Sequence, residues 1–207
     1  MNIMSNFFPS IYDLAMRPLE KRKFQQIRKE LLSHATGRVL EIGAGTGINF
    51  PLYKNAEHVD AIEPNQGMIE QSHPRKAAAA VPIQVHQQSA ESLNFPDDTF
   101  DTVVSTLVFC TIPDPVKALQ EISRVSKSQT KILFFEHVKM EQPIPAFAQE
   151  ALNPLWKRVC DGCNLNRNTL QTIQESGLLV TNVTSYYKGL FLVVESENNK
   201  AIDHPSL

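Results

Sequence analysis

The sequence predicts an α/β protein with a mostly parallel sheet and helices on both faces. Short apolar runs alternate with amphipathic stretches over most of the chain. The runs are continuously apolar, which is typical of strands covered on both faces. Alternating strands and helices favour a parallel sheet, because each helix returns the chain to the sheet edge where the next strand begins. The first five predicted strands span residues 38–42, 59–62, 81–85, 101–107 and 132–138.

Helix signals stand before the first of these strands and between the last two. The earlier helix is predicted from an apolar stripe of Phe24, Ile27 and Leu31. Asp114 followed by Pro115 has the pattern of an N-cap and a first-turn proline. The stripe predicted for that second helix consists of Val116, Leu119, Ile122 and Val125.

Two regions depart from the alternation. Residues 139–166 form a long connection with three prolines and a tryptophan, which is typical of a lid or binding insertion and leaves room for a helix. Residues 180–187 and 190–195 are strand-like and separated only by Lys188 and Gly189. This spacing predicts a hairpin, so we expect a seven-stranded sheet with an antiparallel last strand.

Composition limits the class of protein. The 207 residues are 42% hydrophobic and carry a formal charge of −2, which indicates one globular domain and gives no reason to expect a nucleic-acid partner. The longest apolar runs are far shorter than the roughly 18 residues that span a bilayer, and no leader pattern is evident. The three cysteines cannot all pair within the chain, which favours reduced thiols over a framework of disulfides. We therefore expect a cytoplasmic protein.

A glycine-rich loop marks the candidate binding site. Four of the eight glycines fall between Gly37 and Gly47, where the first strand ends and a helix is expected to follow. Glycines there permit a tight turn and a close approach of the backbone to a ligand. Glu63 stands twenty residues beyond Gly43, at the end of the second strand, where a carboxylate can accept both hydroxyls of a ribose. The alternative to a binding site is that residues 43–47 form only a tight turn and that Glu63 is a solvated strand end.

The spacing G-x-G-x-G after Glu41 differs from the dinucleotide fingerprint G-x-G-x-x-G. It resembles the first motif of class I S-adenosylmethionine-dependent methyltransferases, which have a Rossmann-like fold. Glu63-Pro64-Asn65 with Met68 is similar to the second motif of that family, and Ser89-Ala90-Glu91 to the third. The resemblance implies S-adenosylmethionine as cofactor, bound by Tyr12, Glu41, Gly43, Ala44, Gly45, Gly47, Asn49, Glu63, Pro64, Met68, Ala90, Glu91, Thr106 and Leu107. Tyr12 is equally well explained as a residue that packs on the following helix.

A narrower resemblance covers the second half of the chain. Residues 135–138, Trp156 and residues 161–167 resemble the methyltransferase-like subgroup whose animal members methylate alkyl thiols. This resemblance implies a small-molecule acceptor, with a thiol as the first candidate. The residues that it implies for the acceptor are Glu136, His137, Trp156, Asp161 and Cys163.

His137 is the candidate general base, because its ordinary pKa is near neutrality. A purely structural histidine at a strand end is the alternative. Glu136 and Asp161 are rivals for the same role, and a thiolate acceptor needs no strong base.

Two further features could indicate a metal or a membrane surface, but we assign neither. Cys160-x-x-Cys163 lacks a second paired motif, so we interpret both residues as ordinary thiols and expect no metal. Residues 17–29 contain six basic residues and one acidic residue. This segment is interpreted as a solvated helix face, with contact to a membrane surface as the alternative.

The predicted organisation is a single methyltransferase domain over residues 1–207. It comprises N-terminal cap helices (1–35), the cofactor-binding core (36–138), an acceptor-side insertion (139–166) and a C-terminal helix and hairpin (167–196). The competing functions are methylation of a lipid amine or quinone, a nicotinamide-linked oxidation, and non-catalytic binding of S-adenosylmethionine.

Overall fold

A computed structural model describes residues 23–160 and 162–200. One sheet has the strand order β3-β2-β1-β4-β5-β7-β6. Its strands are β1 (Gly37–Ile42), β2 (Ala56–Ile62), β3 (Ile83–His86), β4 (Phe100–Thr106), β5 (Ser126–His137), β6 (Leu179–Tyr186) and β7 (Phe191–Glu197). Neighbouring strands from β3 to β5 are parallel, whereas β7 is antiparallel to both β5 and β6. The predicted seven-stranded sheet with an antiparallel last strand is confirmed.

Five α-helices lie before and between the strands in the described part of the chain. They are α1 (Gln25–Ser33), α2 (Gln66–Ala77), α3 (Pro115–Val125), α4 (Pro143–Val159) and α5 (Thr169–Glu175). The Asp114 side chain caps α3 by accepting a hydrogen bond of 3.0 Å from the Lys117 amide. The predicted stripe of α3 is wrong at Val116, which is 52% exposed. At about 3.6 residues per turn, Ala118 falls on the face of Leu119, Ile122 and Val125, and Val116 turns away from it.

The prediction of a helix directly after Gly47 is also wrong. Turns lead only to a 3-10 helix, Phe50–Leu52. Pro51 explains this difference, because it has no backbone N–H and its ring would clash with the carbonyl group four residues earlier in an α-helix that continued from Gly47. The first crossover from β1 to β2 therefore contains no α-helix.

Apolar side chains are buried on both faces of the sheet. Successive residues of β5 point to opposite faces, so Phe134 joins the core beneath α3 and Phe135 joins the core beneath α1. The Phe24 ring packs edge-on against Phe135, with 5.1 Å between centroids, and the predicted stripe of α1 is buried. Within the described residues, every helix is too short or too polar to cross a membrane.

Candidate functional site

The sheet topology brings the candidate cofactor residues to one edge. Strands β3, β2, β1 and β4 lie side by side and run in the same direction, so the loops after them share the carboxyl edge. The residues concerned are Gly43, Ala44, Gly45, Gly47 and Asn49 after β1, Glu63, Pro64 and Met68 after β2, Ala90 and Glu91 after β3, and Leu107 after β4. Glu41 and Thr106 lie in the last two residues of β1 and β4.

The glycine loop is tightly packed at Gly43 and has free space beside the backbone at Gly45. The Ala44 amide donates to the Ile62 carbonyl at 2.9 Å. A Cβ atom at Gly43 would lie 2.5 Å from Val108, whereas a Cβ atom at Gly45 would meet no atom within 4 Å. Both glycines have positive φ angles. The loop therefore presents open backbone at Gly45, as the approach of a nucleoside cofactor requires.

Glu63 lies at the end of β2 and is 8% exposed. Its Oε2 atom accepts a hydrogen bond of 2.9 Å from the Gly45 amide, and its Oε1 atom accepts one of 2.9 Å from the Asn65 amide. Asn65 caps α2 and thereby sets the position of the buried Met68. Pro64 is exposed between them. The geometry is compatible with further hydrogen bonds to Glu63, because each carboxylate oxygen has two lone pairs.

A buried polar network lies at the carboxyl ends of β1 and β4. The Asn49 amide group donates to Glu41 Oε1 at 2.8 Å and to Thr106 Oγ1 at 3.0 Å. Arg28 donates to Asn49 Oδ1 at 3.0 Å and also to Thr106. Burial raises the pKa of Glu41 to about 7, although Asn49, Tyr53 and Arg28 all oppose that shift.

Arg28 is a residue that the sequence analysis missed. It belongs to the basic segment for which the sequence predicts a solvated face, but it is only 3% exposed, and its guanidinium carbon lies 5.7 Å from the Phe135 ring centroid. Its position directly after Ile27, on the apolar side of α1, is the only signal that the sequence offered. The interpretation of a solvated face is therefore wrong at Arg28.

Glu91 connects the loop after β3 to the start of α3. Its carboxylate accepts hydrogen bonds from the Ser89 hydroxyl and, at 3.0 Å, from the Asp114 amide. Ala90 is buried beside it. Leu107 has a positive φ angle of 59° and donates from its amide to the Phe135 carbonyl at 2.7 Å. These contacts hold the outer loops of the carboxyl edge in place.

Glu136 differs from the other acceptor candidates because it is buried beneath the loop after β4. It accepts hydrogen bonds from Ser105 Oγ at 2.8 Å and from the Val108 and Phe109 amides at 2.9 and 3.1 Å. Burial raises its pKa to about 7. The contacts support a role in positioning this loop, rather than the acceptor contact or proton transfer suggested by the sequence.

His137, Cys163 and Cys110 lie together at the end of β5. The His137 Nε2 and Cys163 Sγ atoms are 3.1 Å apart, and the ligand atoms of all three residues lie within 4.8 Å of one another. Hydrogen bonds from Cys110, His137 and Trp156 lower the pKa of Cys163, against the effect of burial. Cys110, which is 3% exposed, was not recognised from the sequence because it lies far from the other two along the chain.

Polar residues of segment 162–167 hold this cluster against the loop after β4. Both the backbone amide and the side-chain amide of Asn164 donate to the Cys110 carbonyl, at 2.9 and 3.0 Å. The Arg167 guanidinium donates to the carbonyls of Phe109 and Ile112. None of these bonds uses the thiol or imidazole groups, so the backbone around the cluster has hydrogen bonds besides those of the three side chains.

The insertion 139–166 contains α4, which carries an exposed apolar surface. Gln149 anchors the helix by donating to the carbonyls of Val138 and Leu165 at 3.0 and 2.9 Å. On the outer side, Trp156 is 43% exposed and lies close enough to Cys163 to influence its pKa. The other exposed apolar side chains are Ile144, Phe147, Leu152 and Leu155. An apolar acceptor would find a compatible surface here.

Three of the sequence assignments fall outside the described residues. They are Tyr12, Asp161 and the part of the basic segment before Lys23. Their roles stay predictions.

Known methyltransferases are similar to this chain in sequence. Residues 40–134 match the family model described as "Methyltransferase domain", a range that runs from β1 to β5. The chain is 32% identical to human thiol S-methyltransferase TMT1B over 84% of this chain and 76% of that protein. It is 28% identical to phosphatidylethanolamine N-methyltransferase of Cereibacter sphaeroides, over 69% of this chain and 71% of that protein.

A solved structure shows the same fold. The crystal structure of an S-adenosylmethionine-dependent methyltransferase from Thermotoga maritima superposes with a TM-score of 0.67. The two chains are 19% identical, and the match covers 94% of this chain and 98% of the other.

Proposed function

This chain belongs to the S-adenosylmethionine-dependent methyltransferases, and from that premise we propose that its acceptor is a small apolar thiol. The observation that carries the proposal is the position of His137 and Cys163, which lie 3.1 Å apart beside the apolar surface of α4, at the sheet edge that also carries the glycine loop. The thiol S-methyltransferase relatives support the same class of acceptor.

The reaction is an in-line displacement. S-adenosylmethionine supplies a methyl group bound to a positively charged sulfur. The acceptor RSH loses its proton, its sulfur forms a bond to the methyl carbon, and the bond from that carbon to the sulfonium sulfur breaks. The leaving electron pair stays on S-adenosylhomocysteine, so the products are RSCH₃, S-adenosylhomocysteine and one proton. The protein contributes mainly by holding the two sulfur atoms in line with the methyl group.

Different parts of the chain bind the cofactor and the acceptor in this proposal. Glu63 and the backbone at Gly45 are placed to hold the nucleoside part of the cofactor. In this proposal His137 accepts the proton of the thiol, and the exposed apolar side chains of α4 bind its apolar substituent.

A lipid amine is the second candidate acceptor. The exposed apolar side chains of α4 would also suit an acyl chain, and one relative is a phosphatidylethanolamine N-methyltransferase. Contact with a membrane surface through α4 and Lys29 is part of this alternative. Cytoplasmic localisation and the lack of a nucleic-acid partner stay predictions.

Methyl transfer from labelled S-adenosylmethionine to a panel of acceptors tests the proposal. The panel contains short and long alkyl thiols, phosphatidylethanolamine vesicles and a quinol. We expect labelled thioether and an equal amount of S-adenosylhomocysteine from the long thiol. The replacement Phe147→Ser should raise KM for the long thiol and leave the short thiol unchanged, with Val183→Ser on the exposed face of β6 as a matched control. Transfer to the amine or quinol alone would contradict the proposal.

A further inference from the structure

We propose that Cys110, His137 and Cys163 form a zinc-binding site with a fourth coordination position left open for the thiol acceptor. The sequence predicts no metal, because Cys160-x-x-Cys163 lacks a second paired motif. The fold forms a different group, in which Cys163 joins Cys110 and His137, and Cys160 is not a member. The three members come from the loop after β4, the end of β5 and the segment after α4.

The separations between the ligand atoms fit tetrahedral zinc. With Zn–S bonds of about 2.3 Å and Zn–N bonds of about 2.0–2.1 Å, tetrahedral ligand atoms lie about 3.5–3.8 Å apart. In the structure the His137 Nε2 and Cys163 Sγ atoms are 3.1 Å apart, and no pair of the three ligand atoms exceeds 4.8 Å. Side-chain shifts of less than about 1 Å would therefore bring all three atoms to bonding distance of one ion.

The backbone that carries the three residues is held without the help of the ligand atoms. The Glu136 carboxylate binds the Val108 and Phe109 amides, which joins the loop of Cys110 to the strand of His137. Asn164 joins the segment of Cys163 to the Cys110 carbonyl, and Arg167 binds the carbonyls on either side of Cys110. Such supporting contacts orient ligands before the metal binds.

The donor set selects the kind of ion. Two sulfur atoms and one imidazole nitrogen suit zinc, whereas magnesium and calcium prefer oxygen. Closed structural zinc sites have four protein ligands, but catalytic sites have three and keep one position for water or substrate. Cys110 is 3% and Cys163 is 9% exposed, whereas His137 is half-buried, so the cluster lies in the fold without being closed to solvent. Among the described residues, the cluster has the composition of the catalytic type.

The open position gives the metal a role in methyl transfer, and this part rests on the proposed function. A thiol RSH that binds zinc releases its proton to solvent and becomes a coordinated thiolate. The thiolate sulfur then forms the bond to the methyl carbon as the bond to the sulfonium sulfur breaks. The resulting thioether is a weaker ligand and leaves the metal. In this arrangement Nε2 of His137 binds zinc, so His137 is a ligand and not the base.

Metal binding is tested first, without any methyl transfer. The full chain is purified under reducing conditions, stripped with a chelator and titrated with Zn²⁺, and in parallel with Co²⁺, whose absorption reports thiolate ligands. We expect one ion per chain. Cys110→Ser and Cys163→Ser should each weaken binding by more than about 100-fold, which exceeds the usual effect of losing a supporting residue. Cys160→Ser is the matched control and should bind normally.

The proposal is overturned if the reduced protein binds no Co²⁺ through thiolates, or if binding survives in both Cys110→Ser and Cys163→Ser. Formation of a Cys110–Cys163 disulfide in air, with no metal bound by the reduced protein, would overturn it as well. Circular dichroism of each variant shows whether lost binding reflects unfolding, and Cys110→Ala with Cys163→Ala repeats the test if a serine variant does not fold.

Activity then separates this proposal from the proposed function. If the stripped enzyme is inactive toward the long thiol and Zn²⁺ restores transfer, the role of the metal is supported. If stripped and zinc-loaded enzyme methylate the thiol equally, the metal role is overturned while the thiol function stands. If the zinc-loaded enzyme methylates the amine but no thiol, the proposed function fails, and the metal site is then judged on the binding result.

Discussion

The Glu63 carboxylate, at the end of β2, binds the Gly45 amide of the glycine loop at 2.9 Å. This bond joins the loop after β1 to the loop after β2, so the two candidate cofactor segments are positioned relative to each other before any ligand binds. Mutation can therefore separate the observed role of Glu63, which is to join the two loops, from its predicted role, which is to accept the ribose hydroxyls.

Replacement of Glu63 by alanine should weaken binding of S-adenosylmethionine by about 2–4 kcal/mol, or roughly 30- to 1,000-fold in Kd. Both the ribose hydroxyls and the Gly45 amide lose their acceptor. Glu63→Gln keeps one acceptor oxygen and should give an intermediate Kd. Calorimetric titration measures the effect, with the exposed Glu70→Ala of α2 as control. An unchanged Kd in a folded Glu63→Ala protein would leave Glu63 as a strand end without a role in binding.

Alanine at the two loop glycines should have different effects. Gly43→Ala places a Cβ atom 2.5 Å from Val108 in a left-handed backbone conformation, so we expect a loss of about 2–4 kcal/mol in unfolding free energy. Gly45→Ala meets no protein atom and should lose only about 1–2 kcal/mol, while its methyl group interferes with the cofactor. Urea unfolding and cofactor titration of both variants measure the difference. Equal losses of stability would contradict the proposed packing.

Arg28→Met should lower the unfolding free energy by about 2–4 kcal/mol, because Asn49 and Thr106 would lose a buried donor. The neighbouring Lys29 is exposed, and Lys29→Met should change stability by less than about 0.5 kcal/mol. Urea unfolding of the two variants tests the prediction. Similar values for both would show that the buried network contributes nothing to stability.

Glu41 should make the stability fall with rising pH. Burial raises its pKa from 4.5 to about 7, so between these values the folded state holds a proton that the unfolded state has lost. Its contribution to stability is fully present below about pH 4.5 and is lost as pH rises through 7, a change on the order of 3 kcal/mol. Denaturation at pH 5 and pH 8 measures it. Glu41→Gln should remove this part of the pH dependence, whereas the exposed control Glu57→Gln should not.

Local patterns were sufficient for the order of the strands along the chain and for the cofactor side of the site. The apolar runs marked the strands, Asp114 with Pro115 marked the start of α3, and two residues between strand-like runs marked the hairpin. The glycine spacing and Glu63 marked the carboxyl edge, because parallel strands end on the same side. The pattern failed after Gly47, where Pro51 prevents an α-helix.

What the sequence by itself determined is therefore the fold class, the family resemblance and the residues of the cofactor loops, since these depend on short-range spacing. Only the tertiary structure decided that Arg28 is buried, that Glu136 holds a loop and that Cys163 pairs with Cys110 and His137 while Cys160 does not. Cys110 and Cys163 are 53 residues apart in the chain. Cys110 and Cys163 come together because β4 lies beside β5 and because Asn164 and Arg167 bind the segment of Cys163 to the loop after β4. A local sequence pattern cannot predict contacts between residues so far apart in the chain.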